Sequence, residues 1–66
     1  MKRSDAIAIF GSIRKMAKEM DISTSAIYQW SDELSLRVSD RIVGFAIRNG
    51  YAEHPNVIAY REQEGE

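Results

Sequence analysis

The sequence lacks cysteine, and it contains one proline, one tryptophan and one histidine among its 66 residues. Without cysteine, neither a disulfide nor a thiolate metal site can stabilise so short a chain. A chain of this length forms one domain with a thin core, and such domains often gain stability by oligomerisation. We therefore expect residues 1–66 to form a single domain in which residues 51–66 are a C-terminal segment or tail.

Long apolar runs are absent too. No stretch approaches the roughly 18 apolar residues that a membrane-spanning helix requires. The first residues also lack the apolar core of a secretory signal peptide. We therefore expect a cytoplasmic protein without a membrane partner.

Motifs that carry catalysis are scarce. The sequence has no Gly-rich phosphate loop, and its single histidine, His54, has no clustered His, Asp or Glu at metal-ligand spacing. So small a domain also has little room for a closed pocket. We expect no enzyme, no metal, no cofactor and no small-molecule ligand.

Charge is nearly balanced overall but unevenly distributed. The net charge is −1, which weighs weakly against a nucleic-acid partner because such domains are usually basic. However, basic residues exceed acidic ones in residues 1–20, whereas residues 53–66 contain four glutamates and a single arginine. The chain thus has a basic N-terminal part and an acidic C-terminal tail. Either cluster could be only a solvated surface.

Helix-capping residues divide the first half of the chain into short helices. Ser4 and Asp5 are predicted to open the first helix, and Gly11 interrupts it. Ser12 is placed to cap a second helix, which Asp21 ends.

The second half contains a longer helix and one ambiguous segment. Ser35 is predicted to cap a fourth helix that stops at Asn49-Gly50. Pro55 could begin a short helix through Tyr60, but "NVIAY" also fits a strand. We expect the chain to fray beyond Arg61.

The stretch "MAKEMDISTSAIYQW", Met16 to Trp30, ends one helix and starts another within about three residues. Ser23 or Thr24 is placed to cap this third helix. Two helices joined by so short a turn are typical of the helix-turn-helix unit, which needs a small residue at the crossing and apolar residues in the angle. The predicted motif core comprises Met16, Ala17, Met20, Ile22, Ile27 and Trp30.

The segment "FGSIRKMAKEMDISTSAIYQW" resembles the phage Cro family of small repressors and related prophage regulators. The pairs Phe10-Gly11, Ile22-Ser23 and Gln29-Trp30, together with Ala17 and Met20, carry the resemblance. It covers residues 4 to about 48 and is weak after Gly50. It implies a mostly all-α helix-turn-helix domain of four to five helices, of the lambda-repressor and Cro type, with a C-terminal segment that is either α or β.

Asp21 departs from the family pattern, which most often has glycine at that position. An aspartate in the left-handed conformation strains the turn by a fraction of a kcal/mol up to roughly 1–2 kcal/mol. The departure is compatible with a helix-turn-helix.

The resemblance implies a sequence-specific regulator that binds double-stranded DNA. Its third helix, about Ser23–Trp30, would enter the major groove. We expect base contacts from that helix and phosphate contacts from the basic residues around it. The predicted base-contact residues are Ser23, Thr24, Ser25, Tyr28 and Gln29, and the predicted phosphate-contact residues are Arg14, Lys15, Lys18, Arg37 and Arg41.

The helix-turn-helix resemblance, together with a chain too small to bury much alone, further implies a weak homodimer that binds a pseudo-palindromic operator in the bacterial host cytoplasm or nucleoid. The dimer candidates are Tyr51, Val57, Ile58 and Tyr60. The acidic tail and net charge of −1 leave an alternative open. In that alternative, the domain keeps the fold but binds a protein, as an antitoxin-like or anti-repressor module without specific DNA binding.

Overall fold

Five α-helices make up the fold in the computed structural model, which describes residues 1–64. The helices are α1 (Arg3–Phe10), α2 (Ile13–Met20), α3 (Thr24–Tyr28), α4 (Leu36–Arg48) and α5 (Pro55–Glu64). Within the described range, the only β pairing is an isolated antiparallel bridge between Lys2 and Glu33. The prediction of an all-α helix-turn-helix domain is therefore confirmed. No helix in this range is long and apolar enough to cross a membrane.

Serine caps begin three of the helices, at the positions predicted from the sequence. In each case the serine Oγ accepts a hydrogen bond from a backbone N–H three residues ahead, which satisfies a donor that the helix itself leaves unpaired. The bonds join Ser12 to Lys15 at 3.1 Å, Ser23 to Ala26 at 3.2 Å, and Ser35 to Val38 at 3.3 Å.

The start of α1 differs from the prediction. The helix begins at Arg3, and Lys2 is its N-cap without a side-chain capping bond, so the prediction that Ser4 opens it is wrong. The cause is a long-range pairing of the backbone. The N–H of Arg3 donates to the carbonyl of Asp32 at 2.8 Å, and the N–H of Leu34 donates to the carbonyl of Met1 at 3.0 Å.

The core lies where α1, α2, α4 and α5 meet, and α3 contributes one fully buried side chain. The buried apolar residues are Ala6, Ile9, Phe10, Met16, Ala17, Met20, Ile27, Leu34, Ile42, Val43, Ala46, Val57 and Tyr60. Ser39 of α4 is the only buried polar residue in the described range. Its Oγ has no hydrogen-bond partner among the described residues.

The ambiguous C-terminal segment is a helix that packs on the rest of the molecule. The alternative of a strand is excluded, because α5 begins at Pro55 and continues to Glu64. The predicted fraying beyond Arg61 is therefore wrong up to residue 64. Residues 65–66 lie outside the described residues. The hydroxyl of Tyr60 donates to the Asp40 carboxylate at 2.5 Å, which links α5 to α4.

Candidate nucleic-acid interface

The turn between α2 and α3 consists of three residues, Asp21 to Ser23. Asp21 adopts the left-handed conformation, with φ 57° and ψ 46°. The N–H of Ile22 donates to the carbonyl of Ala17 at 3.0 Å, and the N–H of Asp21 donates to that of Lys18 at 3.3 Å. This pair of bonds is the Schellman closure of a helix C-terminus. It satisfies two of the last four carbonyls of α2 and turns the chain sharply toward α3.

The predicted motif core separates into two groups by burial. Four of its members are buried, and Ile22 and Trp30 are half-buried against them. Trp30 follows the end of α3, so the prediction that it faces inward together with Ile27 holds only in part. The buried members are Met16, Ala17, Met20 and Ile27.

The outward face of α3 carries small polar groups, an aromatic ring and an amide. Ser23, Ser25 and Gln29 are exposed and Thr24 is half-buried, while Tyr28 is 64% exposed. The helix is shorter than the predicted Ser23–Trp30 segment, but Gln29 keeps right-handed helical torsions as the C-cap. The structure thus brings the five predicted base-contact residues together on one short element.

The predicted phosphate-contact residues lie on the helices that flank α3 in sequence. All five are exposed: Arg14, Lys15 and Lys18 on α2, and Arg37 and Arg41 on α4. Three basic residues therefore lie on the first helix of the helix-turn-helix and two on the helix that follows it.

Lys15 differs from the other four because it has partners within the chain. Its ammonium group lies 5.6 Å from the centre of the Tyr51 ring. The Tyr51 hydroxyl and, more weakly, the Glu19 carboxylate raise the pKa of Lys15 above its ordinary value. Lys15 therefore stays a cation at neutral pH while it covers an aromatic ring.

Tyr51 is half-buried, and its contacts lie within the chain. Its ring packs edge-to-face on Phe10 at 5.3 Å, and its hydroxyl lies 2.9 and 3.0 Å from the two carboxylate oxygens of Glu19. Two other dimer candidates are also turned inward, since Val57 is 0% exposed and Tyr60 is 6% exposed. These residues pack α5 and the loop before it, so they offer little surface to a second chain.

Ile58 is the one predicted dimer residue that faces outward, with 42% of its surface exposed. It lies beside Arg61, which also lines a shallow groove with Ile47 of α4. Ile47 is 39% exposed, and the sequence analysis did not single it out. We refer to Ile47, Ile58 and Arg61 as the α4–α5 surface.

Arg3 is a second residue that the sequence analysis missed. Its guanidinium donates to the carbonyls of Tyr28 and Trp30, at the end of α3, and to the Asp32 carboxylate. These partners lie 25 to 29 residues away along the chain. Helical spacing reports only neighbours three and four residues apart, so no local signal could have indicated this contact.

Metal ligands do not converge in the described part of the chain. Within residues 1–64, no three His, Cys, Asp or Glu side chains are grouped closely enough to hold a metal ion. The described part of the chain carries instead a capped, outward-facing short helix and exposed cations on the two helices that flank it in sequence. Such an arrangement suits a polyanionic ligand that presents base edges in a groove.

Comparison with known proteins identifies a family. The family described as DNA-binding transcriptional regulator Cro matches residues 2–40. That range exceeds half of the chain and contains α1, α2, the turn, α3 and the start of α4. No curated protein and no solved structure matches the chain.

Proposed function

This chain belongs to the family of the DNA-binding transcriptional regulator Cro, and we propose that it is a repressor of phage or prophage origin. In this proposal it binds a pseudo-palindromic operator as a dimer, with α3 of each subunit in the major groove of one half-site. Bound dimers would repress by covering a promoter. Membership of the family gives DNA binding and regulation; the operator, the dimer and the contacts are our proposal.

The observation that carries the proposal is the exposed face of α3 behind the Schellman turn. Of this helix, only Ile27 is fully buried. The remaining side chains are small and polar near the N-terminal end and larger at Tyr28 and Gln29. A recognition helix contacts base edges mainly through its N-terminal residues, and small polar side chains there let its backbone approach the groove closely.

Gln29 is the proposed principal base contact. A glutamine amide can pair with adenine by two hydrogen bonds, to N6 and N7. Tyr28 beside it would contact a thymine methyl group or a phosphate. Ser23 already accepts the N–H of Ala26, so its hydroxyl proton remains for DNA, whereas the exposed hydroxyl of Ser25 carries no capping role.

Phosphate contacts in this proposal come from Arg14, Lys15, Lys18, Arg37 and Arg41. Exposed cations around a recognition helix attract DNA and set its register without reading sequence. We assign Lys15 the smallest share of the five, because Tyr51 and Glu19 compete for its charge.

The proposed dimer uses the α4–α5 surface. Ile47 and Ile58 place two half-exposed branched side chains close to Arg61, and apolar area of this kind gains free energy when a second copy covers it. We propose a weak dimer that DNA favours by mass action. Half-site centres would then lie roughly 34 Å apart, one turn of DNA.

Replacing Gln29 tests the base-reading role. On a duplex that the wild-type protein selects from a random pool, Gln29→Ala should weaken binding by about 1–3 kcal/mol, and discrimination should relax at one position of each half-site. Titrations of selected and scrambled duplexes at the same salt concentration measure both effects. Equal weakening on every sequence would assign Gln29 to the phosphates instead, and a protein without any DNA binding would favour the protein-interaction alternative.

A further inference from the structure

The two ends of α3 are supported in different ways. Its N-terminus is capped by the adjacent residue Ser23, whereas the carbonyl of its last residue, Tyr28, and that of Trp30 just beyond it accept hydrogen bonds from Arg3, at the start of the chain. We propose that Arg3 is a positioning residue that sets the orientation of α3, so that sequence discrimination depends on it although it touches no DNA. This inference rests on the proposed function of α3 as the reading element.

Three hydrogen bonds define the contact. Nη1 of Arg3 donates to the carbonyl of Trp30 at 2.8 Å and to that of Tyr28 at 3.2 Å. Nη2 donates to Oδ1 of Asp32 at 3.1 Å. A guanidinium is planar and presents its donors in a fixed fork, so it can bind these three acceptors at once, which a lysine ammonium on a flexible stem cannot do as rigidly.

The recognition helix needs such an external support. With only five residues, α3 is far shorter than a helix that is stable in isolation, and Ile27 is its one fully buried side chain. The last carbonyls of any helix lack intrahelical partners, and α3 has no basic residue in its own last turn. Arg3 supplies a donor to the last carbonyl of α3, that of Tyr28, and the positive charge that a helix C-terminus favours.

The support is itself anchored. The backbone N–H of Arg3 donates to the carbonyl of Asp32, and the neighbouring Lys2 forms the antiparallel bridge with Glu33. Arg3 also begins α1, whose residues Ile9 and Phe10 are buried in the core. The position of the guanidinium is therefore fixed relative to the core, and through it the end of α3 is fixed as well.

The geometry favours positioning over direct DNA contact. The Arg3 side chain is 29% exposed, and three of its donor interactions are directed at its own chain. Two of the accepting carbonyls belong to Tyr28 and to Trp30, which directly follows Gln29. A binding group must be held within about 0.5 Å of its productive position, so a shift of this segment would misalign the proposed base contacts.

The test compares four variants with the wild-type protein. Arg3→Met removes the fork, Arg3→Lys keeps the charge without the fork, and Asp32→Asn neutralises the one charged acceptor of the three. Lys2→Met is the matched control, because it removes the same charge from the exposed neighbouring residue. Each protein is titrated with the duplex that the wild type selects from a random pool and with a scrambled duplex of equal composition, across a series of salt concentrations and well below its unfolding temperature.

We expect Arg3→Met to lower the ratio of selected to scrambled affinity about tenfold or more, the size of losing one well-made base contact. Its affinity for scrambled duplex and its salt dependence should match those of Lys2→Met. Arg3→Lys and Asp32→Asn should lower the ratio by smaller factors, and they keep the test decisive if Arg3→Met does not fold. Amide hydrogen exchange at residues 28–30 of the free protein should be faster in each Arg3 variant.

Four results would overturn the inference. Equal loss on both duplexes, with a shallower salt dependence than that of Lys2→Met, would make Arg3 a phosphate contact. A lower unfolding temperature with an unchanged affinity ratio would leave it a role in stability alone. A wild-type protein that does not discriminate between the duplexes would remove the proposed function, and this inference with it, whereas discrimination retained in all Arg3 variants would remove this inference alone.

Discussion

At the scale of single residues, Asp21 is the position where the backbone is most strained. It is the only non-glycine residue with positive φ among the described residues, and a side chain in that conformation costs free energy that glycine avoids. Asp21→Gly should therefore raise the free energy of unfolding by about 0.5–1 kcal/mol. The corresponding rise in the thermal midpoint, about 4–8 °C per kcal/mol for so small a domain, is measurable by circular dichroism.

Asp21→Ala is the matched control for that strain. Alanine lacks the short polar group that lets aspartate visit the left-handed region, so this variant should be less stable than the wild type. If glycine and alanine destabilise the protein equally, the carboxylate of Asp21 stabilises the turn and the strain is not what governs this position.

Ser39 is the second residue where the structure makes a sharp prediction. Its side chain is fully buried, and its Oγ has no partner among the described residues. A buried hydroxyl without a hydrogen bond carries a desolvation cost that alanine does not, and alanine also favours the helix. Ser39→Ala should therefore leave the free energy of unfolding unchanged or raise it by about 1 kcal/mol.

Ser35→Ala in the same helix provides the contrast. Ser35 caps α4 through the N–H of Val38, so its loss should cost about 1 kcal/mol. Thermal or denaturant unfolding of the two serine variants side by side distinguishes the roles. If Ser39→Ala lowers the free energy of unfolding as much as Ser35→Ala does, that result would contradict the interpretation that the Ser39 hydroxyl is unpaired.

At the scale of elements, the exposed cations of α2 and α4 are expected to act through phosphates. Lys18→Gln and Arg41→Gln should each weaken binding on selected and scrambled DNA alike. Each should also reduce the slope of log affinity against log salt by about 0.9. Arg48→Gln is the control, because it removes the same charge from a residue outside the predicted phosphate contacts. The Arg48 guanidinium stacks over the Phe45 ring at 4.9 Å. An unchanged slope for Lys18→Gln or Arg41→Gln would remove that residue from the interface.

Element boundaries that depend on local chemistry were predictable from the sequence. The caps at Ser12, Ser23 and Ser35 act on groups three residues away, and the left-handed Asp21 closes its turn within five residues. The resemblance to the Cro family was equally readable, since the family match confirms it over residues 2–40.

What escaped sequence reasoning depends on contacts between distant parts of the chain. The start of α1 at Arg3 follows from pairing with residues 32–34, and the inward position of Tyr51 follows from its bond to Glu19. The segment that contains Val57 and Tyr60, "NVIAY", has a composition that fits either a strand or a helix. Only their packing against the other helices decides that they belong to the core instead of a dimer surface.

At the scale of the whole molecule, the α4–α5 surface is proposed to pair two copies. Ile58→Glu would place a charge where the second copy must pack, so it should abolish cooperative binding to a two-half-site duplex. Affinity for a single half-site should be unchanged. Ala59→Glu is the control, since Ala59 is also exposed on α5 but borders a different groove, with Met1 and Asn56. Analytical ultracentrifugation with and without DNA provides the stoichiometry, and a dimer that persists in Ile58→Glu would contradict this interface.

The most direct test of the account is selection of bound duplexes from a random-sequence DNA pool at moderate salt, using the purified protein. We predict recovery of a two-fold-symmetric site with half-site centres one helical turn apart, roughly 34 Å. Such a site would agree with a dimer that reads sequence through α3. Failure to enrich any sequence, even at low salt, would contradict sequence-specific reading by this chain.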